Sequence, residues 1–491
     1  MGSPPHQTIL SLARAGNPVR AWSLFRSSGL NTVEDDARVL TLKGRLLKDL
    51  ARRAEGDERN RLYSEASDAY LAANALGEDS YPLINAAALA CFAGDHPRAS
   101  RIARDVLTLI ENDPAEGETA YWREATRAEA HLLMREMDQA TAALAMAYKK
   151  LPFAHEDQAA TLGQFDRILE AQGADSAWLE PFRVPCSVNF VSSPGLNPND
   201  PELARSIASA LESFSPGYGF NGLLTPADLL FSEGILDCGA ELSVALPYEA
   251  EDIASRVFAP LGREWTKRFD KVLSNAGQVE LLPAAISETP LSQSAALSVT
   301  QMVAMGQSLR RSEALRSRAQ ALVLRAEGSI AAPPSLGLWS RAELPMLQIP
   351  IGNDSAHGCG AVETELCGLV LGTEPKALMN YAERFGLETD AGDNRPLWRG
   401  TFDAVLDAAR ECARETNSVL SVHLGHPASL PVLPGLFERM ERLARADHKA
   451  NIKMGMQSAM IAKIVDPDLR IEELGEIQTL TGHASIWSAT S

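Results

Sequence analysis

Two turns carry the residue types best suited to holding a phosphorylated ligand. The first, Val191-Ser192-Ser193-Pro194-Gly195-Leu196-Asn197-Pro198-Asn199, follows a run that reads as a buried strand and precedes an amphipathic helix. Free backbone NH groups and the positive end of a helix converge at such a turn and favour a phosphate, and Ser192 and Ser193 could add hydroxyl donors beside Gly195. Neither GxGxxG nor a GxxxxGK loop ending in Ser or Thr is present, so an inert turn stays open as the alternative. The second turn, Gly222-Leu223-Leu224-Thr225-Pro226-Ala227-Asp228, presents Thr225 as an N-cap and Pro226 at the first helical position. Asp228 either holds a ribose hydroxyl in a sheet crevice or complements the helix dipole.

Metal and nucleophile chemistry has thinner support. His423-Leu424-Gly425-His426, with Asp393 or His357, is a candidate metal set. The two histidines sit three apart at a strand end, where their side chains point to opposite faces unless the chain turns, so a pair of turn histidines is the plainer reading. Cys359 beside His357 lies in a Gly-rich stretch that reads as a loop, and no GxSxG occurs. The six cysteines show no CxxC spacing; reduced, mostly buried thiols are expected, which points to a cytoplasmic protein.

The chain has 491 residues, 45% of them apolar and 22% charged, with a formal charge of −18. That composition suits a folded protein of about three domains at roughly 150 residues each. The acidic balance argues against a broad nucleic-acid or anionic-membrane footprint. No uninterrupted apolar run reaches the roughly 18 residues of a membrane span, and the N-terminal MGSPPHQ lacks the pattern of a secretory signal.

The elements that must position these residues divide the chain in three. Residues 1–175 are rich in Ala, Leu, Arg and Glu, with breaks at Gly16-Asn17-Pro18, Gly29-Leu30-Asn31, Gly56-Asp57, Gly77-Glu78-Asp79, Gly94-Asp95-His96-Pro97 and Asn112-Asp113-Pro114. Antiparallel helix pairs are expected between them. Tyr63, Ala66, Ala69, Tyr70 and Ala73, then Ile84, Ala87, Ala90, Cys91 and Ala99, repeat a small-and-aromatic stripe with a period near 34, the tetratricopeptide signature, with an irregular all-α bundle as the alternative. Residues 180–330 alternate apolar strands with helices and predict a parallel sheet covered on both faces, a Rossmann-like domain that ends with the strand at 321–324. Ala331-Ala332-Pro333-Pro334 reads as a linker. Residues 340–491 form a further α/β portion with strands at 366–373, 419–425, 452–454, 470–477 and 484–488 and helices at 375–385, 401–416, 434–448 and 457–464. The fold class is therefore multidomain: an all-α helical array followed by two α/β domains.

Three resemblances add to this reading. Gly44-Arg45-Leu46-Leu47-Lys48-Asp49, Tyr81-Pro82-Leu83-Ile84-Asn85-Ala86-Ala87 and Tyr121-Trp122-Arg123-Glu124-Ala125-Thr126 resemble, over residues 35–150, the TRAF-binding, tetratricopeptide-like region of apoptosis-signal-regulating kinases and bacterial multidomain proteins. That likeness implies an interaction scaffold with a protein partner. Gly217-Tyr218-Gly219-Phe220, Ala227-Asp228-Leu229-Leu230-Phe231-Ser232-Glu233 and Gly239-Ala240-Glu241-Leu242-Ser243-Val244-Ala245-Leu246-Pro247 resemble Rossmannoid sensor domains of the SLOG type. It implies a nucleotide-like ligand, although a Gly-His pair expected after the first strand is Ser192-Ser193 here. Gly392-Asp393, Val419-Leu420-Ser421-Val422-His423-Leu424-Gly425 and Arg470-Ile471-Glu472-Glu473-Leu474-Gly475 are similar, over residues 360–488, to nucleotidyl cyclase catalytic domains.

A cyclase needs two carboxylates bridging two Mg²⁺ or Mn²⁺ ions. Asp393 stands where one is expected, but Gly368-Leu369-Val370-Leu371-Gly372-Thr373 supplies no acid for the other. Arg442 fits the transition-state pair, whereas its partner position is Glu438. These departures imply a degenerate cyclase-like domain, with an unrelated α/β domain as the alternative. The expected function is a noncatalytic signalling scaffold joining a protein-interaction array to a nucleotide sensor, with a homodimer among the expected partners and no required cofactor; the alternative is a purine nucleotidyl cyclase or other nucleotide-processing enzyme.

Overall fold

The computed structural model describes residues 5–14, 18–77, 79–112, 119–193, 196–282, 293–326, 334–352, 367–372, 375–390, 397–416, 418–425, 440, 442–445, 452–479 and 482–490. It contains two compact units, residues 1–184 and 185–491.

The first unit is helical. Its helices are α1 (Pro5–Arg14), α2 (Pro18–Ser27), α3 (Ala37–Ala51), α4 (Gly56–Gly77), α5 (Ser80–Phe92), α6 (His96–Asn112), α7 (Ala120–Leu133), α8 (Met137–Lys150) and α9 (His155–Gln172). Capping side chains open several of them: Asp36 accepts from the amides of Arg38 and Val39, Asp79 from that of Tyr81 and Thr119 from that of Trp122. Gly94, at φ 85°, closes α5 in the left-handed region that a side chain would strain. Small residues let consecutive helices approach. A Cβ on Gly44 would stand 2.6 Å from the ring of Tyr70, so α3 and α4 meet at a distance only glycine allows. Ala66, Ala87, Ala90, Ala103, Ala128 and Ala140 line the shared core.

The second unit holds two sheets. Strands β1 (Ser187–Ser192), β2 (Tyr218–Asn221), β3 (Glu241–Leu246), β4 (Gln278–Leu281), β5 (Ala319–Ala326) and β6 (Met346–Ile351) form an all-parallel sheet in the order β4-β3-β2-β1-β5-β6. The crossovers run through α10 (Pro201–Phe214), α11 (Pro226–Asp237), α12 (Ala250–Ile253), α13 (Arg263–Asn275), α14 (Gln293–Leu315) and α15 (Pro334–Arg341). Side-chain alternation divides the apolar runs between two cores. Val188, Phe190, Leu322 and Leu324 face one side, where Phe190 stacks on Phe231 at 4.7 Å between centroids, and Val191, Ala321 and Val323 face the other. Burial on both faces explains why these strands read as continuous apolar runs. The sequence reading ended this sheet at 321–324; the structure adds β6, paired with β5 from Ala321↔Met346 to Ala326↔Ile351. Of the linker expected at Ala331-Ala332-Pro333-Pro334, the first three residues lie outside the described residues, and Pro334 begins α15 between these two strands.

The second sheet is mixed. Strands β7 (Cys367–Gly372), β8 (Glu388–Asp390), β9 (Leu397–Gly400), β10 (Leu420–Gly425), β11 (Ile452–Met454), β12 (Arg470–Thr479) and β13 (Gly482–Thr490) lie in the order β12-β13-β11-β10-β7-β9-β8. Helices α16 (Pro375–Arg384), α17 (Phe402–Thr416) and α18 (Met456–Val465) accompany it. One core joins the two sheets: Val299, Met302, Val303 and Met305 of α14 pack in the same cluster as Ala459, Met460 and Ala462 of α18. No described helix is long and apolar enough to cross a membrane.

Candidate functional site

In the parallel sheet the winding reverses between β1 and β5, and open α/β sheets bind ligands at the carboxyl ends of strands where the winding reverses. Ser192 and Ser193 stand there, both buried. The Ser193 amide donates to the Leu324 carbonyl at 2.9 Å, tying the end of β1 to that of β5. Gln301 of α14 donates to the Ser192 carbonyl at 3.3 Å, and the Ser335 hydroxyl donates to Gln301 at 2.9 Å. Gly195 lies outside the described residues.

The structure brings Asp228 to the same place. Its carboxylate accepts from the Ser192 hydroxyl at 3.2 Å and from the amides of Leu224 and Thr225 at 3.0 and 2.9 Å. Thr225 Oγ1 accepts from the Asp228 amide at 3.1 Å, which completes a reciprocal capping box at the start of α11. Asn221 donates to the Asp228 carbonyl at 2.8 Å. With Asp228 only 2% exposed, burial pushes its carboxyl up to about 7, against the downward pull of these amide and hydroxyl donors. Both carboxylate oxygens are engaged by the fold, so Asp228 fixes the Ser192 hydroxyl and the turn after β2. The Thr-Pro-x-Asp spacing made the cap legible; Asn221, Gln301 and Ser335 are polar residues inside apolar elements, and nothing in their spacing marked them.

The remaining sequence candidates do not form a metal centre among the described residues. Asp393, His357, Cys359, His426 and Glu438 lie outside them. Arg442 is exposed in a helical stretch at 442–445, and His423 is buried in β10 opposite Leu369 of β7. Strand β7 contributes no carboxylate, and no group of three His, Cys, Asp or Glu side chains is close enough to hold a metal ion among the described residues. Strand β7, where the cyclase resemblance places the second metal-bridging carboxylate, is Cys-Gly-Leu-Val-Leu-Gly.

The helical unit presents a separate concavity of 550 Å³. Alternate helices line it: Tyr81 and Asn85 from α5, Trp122 and Glu129 from α7, Thr161 and Gln164 from α9. Tyr81 is 52% exposed, unusual for a large aromatic residue. The Gln164 amide donates to Glu129 at 2.9 Å. Burial pushes the Glu129 carboxyl up to about 7, with Gln164, Arg167 and Lys48 pulling the other way. Lys48 is itself lowered to about 8, by burial first and then by Arg52. Glu129 was not singled out by sequence, since a glutamate on an Ala-rich helix ordinarily marks a solvated face.

A family model described as Tetratricopeptide Repeats-Sensor matches residues 5–90, which span α1–α4 and most of α5. No curated protein matches the chain.

Proposed function

We propose that this chain is a noncatalytic signalling scaffold. Its helical array holds a segment of a protein partner in the groove between α5, α7 and α9, and the crevice at the carboxyl end of β1 takes a nucleotide-like ligand. The observation that carries the reading is the groove: three alternate helices of a tetratricopeptide-type array direct an exposed aromatic, amides and a near-neutral acid toward one hollow. Side chains on alternate helices of a stacked array share one surface, which suits an extended or helical peptide. The match to a sensor-type repeat family supports the same direction. For the ligand, the support is Ser193 at the reversal of the sheet and the SLOG-type resemblance of residues 183–328.

The test uses the 491-residue chain. Peptides selected from a displayed library should lose at least tenfold in affinity with Asn85→Ala or Tyr81→Ala; peptides that bind these variants unchanged would remove the groove from the proposal. For the second half, a nucleotide should raise the melting temperature without a divalent ion, and Ser193→Ala should weaken that rise. A rise that requires Mg²⁺ or Mn²⁺ and disappears with Asp393→Ala would instead restore the cyclase alternative.

A further inference from the structure

The groove between α5, α7 and α9 is unevenly supplied with hydrogen-bonding groups. Asp79 caps α5 with one carboxylate oxygen, which accepts from the Tyr81 amide at 2.8 Å, and its exposed side chain has the second oxygen to spare. Asn85 commits its amide nitrogen to the Tyr81 carbonyl at 2.9 Å and keeps Oδ1 as an acceptor. Gln164 is engaged at both ends: its nitrogen donates to Glu129 at 2.9 Å, and its oxygen accepts from Arg167 at 2.7 Å. What the lining offers a guest is mainly acceptor oxygen, on the Asp79 and Glu129 carboxylates and on Asn85.

The charge of the lining has the same polarity. Among the described residues no lysine or arginine lines the hollow, whereas these two acids do. The cations that act on Glu129 are Lys48 of α3 and Arg167 of α9, both outside the lining. Their pull, with that of Gln164, does not offset burial, which raises the Glu129 carboxyl to about 7. The fold alone therefore leaves this carboxylate short of positive charge. A cation arriving through the hollow supplies it, while an acidic guest would be repelled.

Two aromatic rings stand in the same wall. The exposed Tyr81 packs edge-on against the buried Tyr70 at 6.5 Å between centroids, and Trp122 packs edge-on against the buried Tyr121 at 5.3 Å. Core tyrosines thus fix both rings before any guest arrives, which lowers the ordering cost of binding. A ring face attracts a cation, and the aliphatic stem of a long basic side chain packs on apolar surface.

We propose that the groove selects its peptide by a basic side chain, arginine or lysine, whose cationic head meets Glu129 and Asp79 and whose stem lies along Tyr81 and Trp122. This rests on the reading of the groove as a peptide site and names the chemistry of the segment it takes. A guanidinium, with five donors and no acceptor, suits an acceptor-rich wall best.

The experiment uses the 491-residue chain at pH 8, where the Glu129 carboxyl is ionised, and peptides selected from a displayed library. Those lost with Tyr81→Ala should be richer in arginine or lysine than the unselected library. In the tightest of them, replacing the basic residue by citrulline or acetyl-lysine, neutral groups of similar shape, should cost at least tenfold in affinity by calorimetry. Glu129→Gln should remove most of that loss, because a neutral wall no longer distinguishes the charged peptide from its neutral counterpart. Asp79→Asn, which keeps a capping side chain on α5, carries the same comparison should Glu129→Gln fail to fold. The assignment is overturned, with the groove itself left standing, if the selected peptides are no richer in basic residues, if neutralisation costs less than tenfold, or if the loss persists in full in these variants. Selection of no peptide at all removes the groove and this assignment together.

Discussion

Gly306 of α14 faces the backbone of Met460 in α18 so closely that a Cβ at residue 306 would stand 2.6 Å from the Met460 carbonyl carbon. The neighbour is main chain inside a buried helix, which cannot yield as a flexible side chain does. Gly306→Ala should therefore destabilise the second unit by about 1–3 kcal/mol, toward the upper end, through overpacking. Urea unfolding of the full chain measures it; a neutral effect would show that the two helices can separate without loss.

Asp228 tests how the crevice at β1 is held. Asp228→Ala leaves the Leu224 and Thr225 amides and the Ser192 hydroxyl without their acceptor and should cost about 2–4 kcal/mol. Asp228→Asn should recover most of that. The folded carboxyl, near 7, lies above its unfolded value of about 3.9, so the native state binds the proton more tightly. This contribution is full below the unfolded value and fades as pH rises through 7. Wild type should gain stability relative to Asp228→Asn between pH 8 and pH 5, read as a difference in melting temperature.

Glu129 obeys the same sign in the helical unit. Its carboxyl is raised to about 7 against an unfolded value of about 4.3, so the ionised form is penalised at alkaline pH. Glu129→Gln keeps an acceptor for Gln164 and should stabilise the protein by about 2 kcal/mol at pH 8, with the gain shrinking as pH falls through 7 and vanishing below about pH 4. An equal effect at both pH values would mean that Lys48 and Arg167 compensate the buried charge.

Lys463 separates a buried contact from a surface one. Its ammonium group, on a side chain that is 3% exposed, donates to the Pro467 and Leu469 carbonyls and pairs with Glu313 at 2.8 Å. Lys463→Met strips both carbonyls of their donor and should cost about 2–4 kcal/mol. Glu313 is 55% exposed, so Glu313→Gln should change stability by less than about 1 kcal/mol. Denaturant titration of both variants distinguishes the two effects.

Sequence periodicity located the helices and the parallel strands because both signals are local. Tyr70 and Ala66 marked α4 by spacing, and the apolar run at 241–247 marked β3. Strand β2 ends at Asn221, and Leu223 and Leu224 beyond it are apolar for a different reason: they are core residues beneath the turn. Strand β6 escaped notice since most of its residues are only partly buried, as an edge strand allows, and a Pro-rich run precedes it. Strands β8 and β9 are too short to show alternation. At the sites, the Thr225–Asp228 cap was legible from four consecutive residues. The meeting of Ser192 with Asp228 depends on a pairing between a distant strand and helix that no local pattern encodes.

Because α14 serves as a common wall for both sheets of the second unit, neither sheet owns a complete interior. Cutting the chain between β6 and β7 would strip Met460, Ala459 and their neighbours of the helix that shields them, and each half would carry a raw apolar face prone to aggregation. Heating should accordingly melt residues 185–491 in a single transition, with the two sheets surviving or failing together.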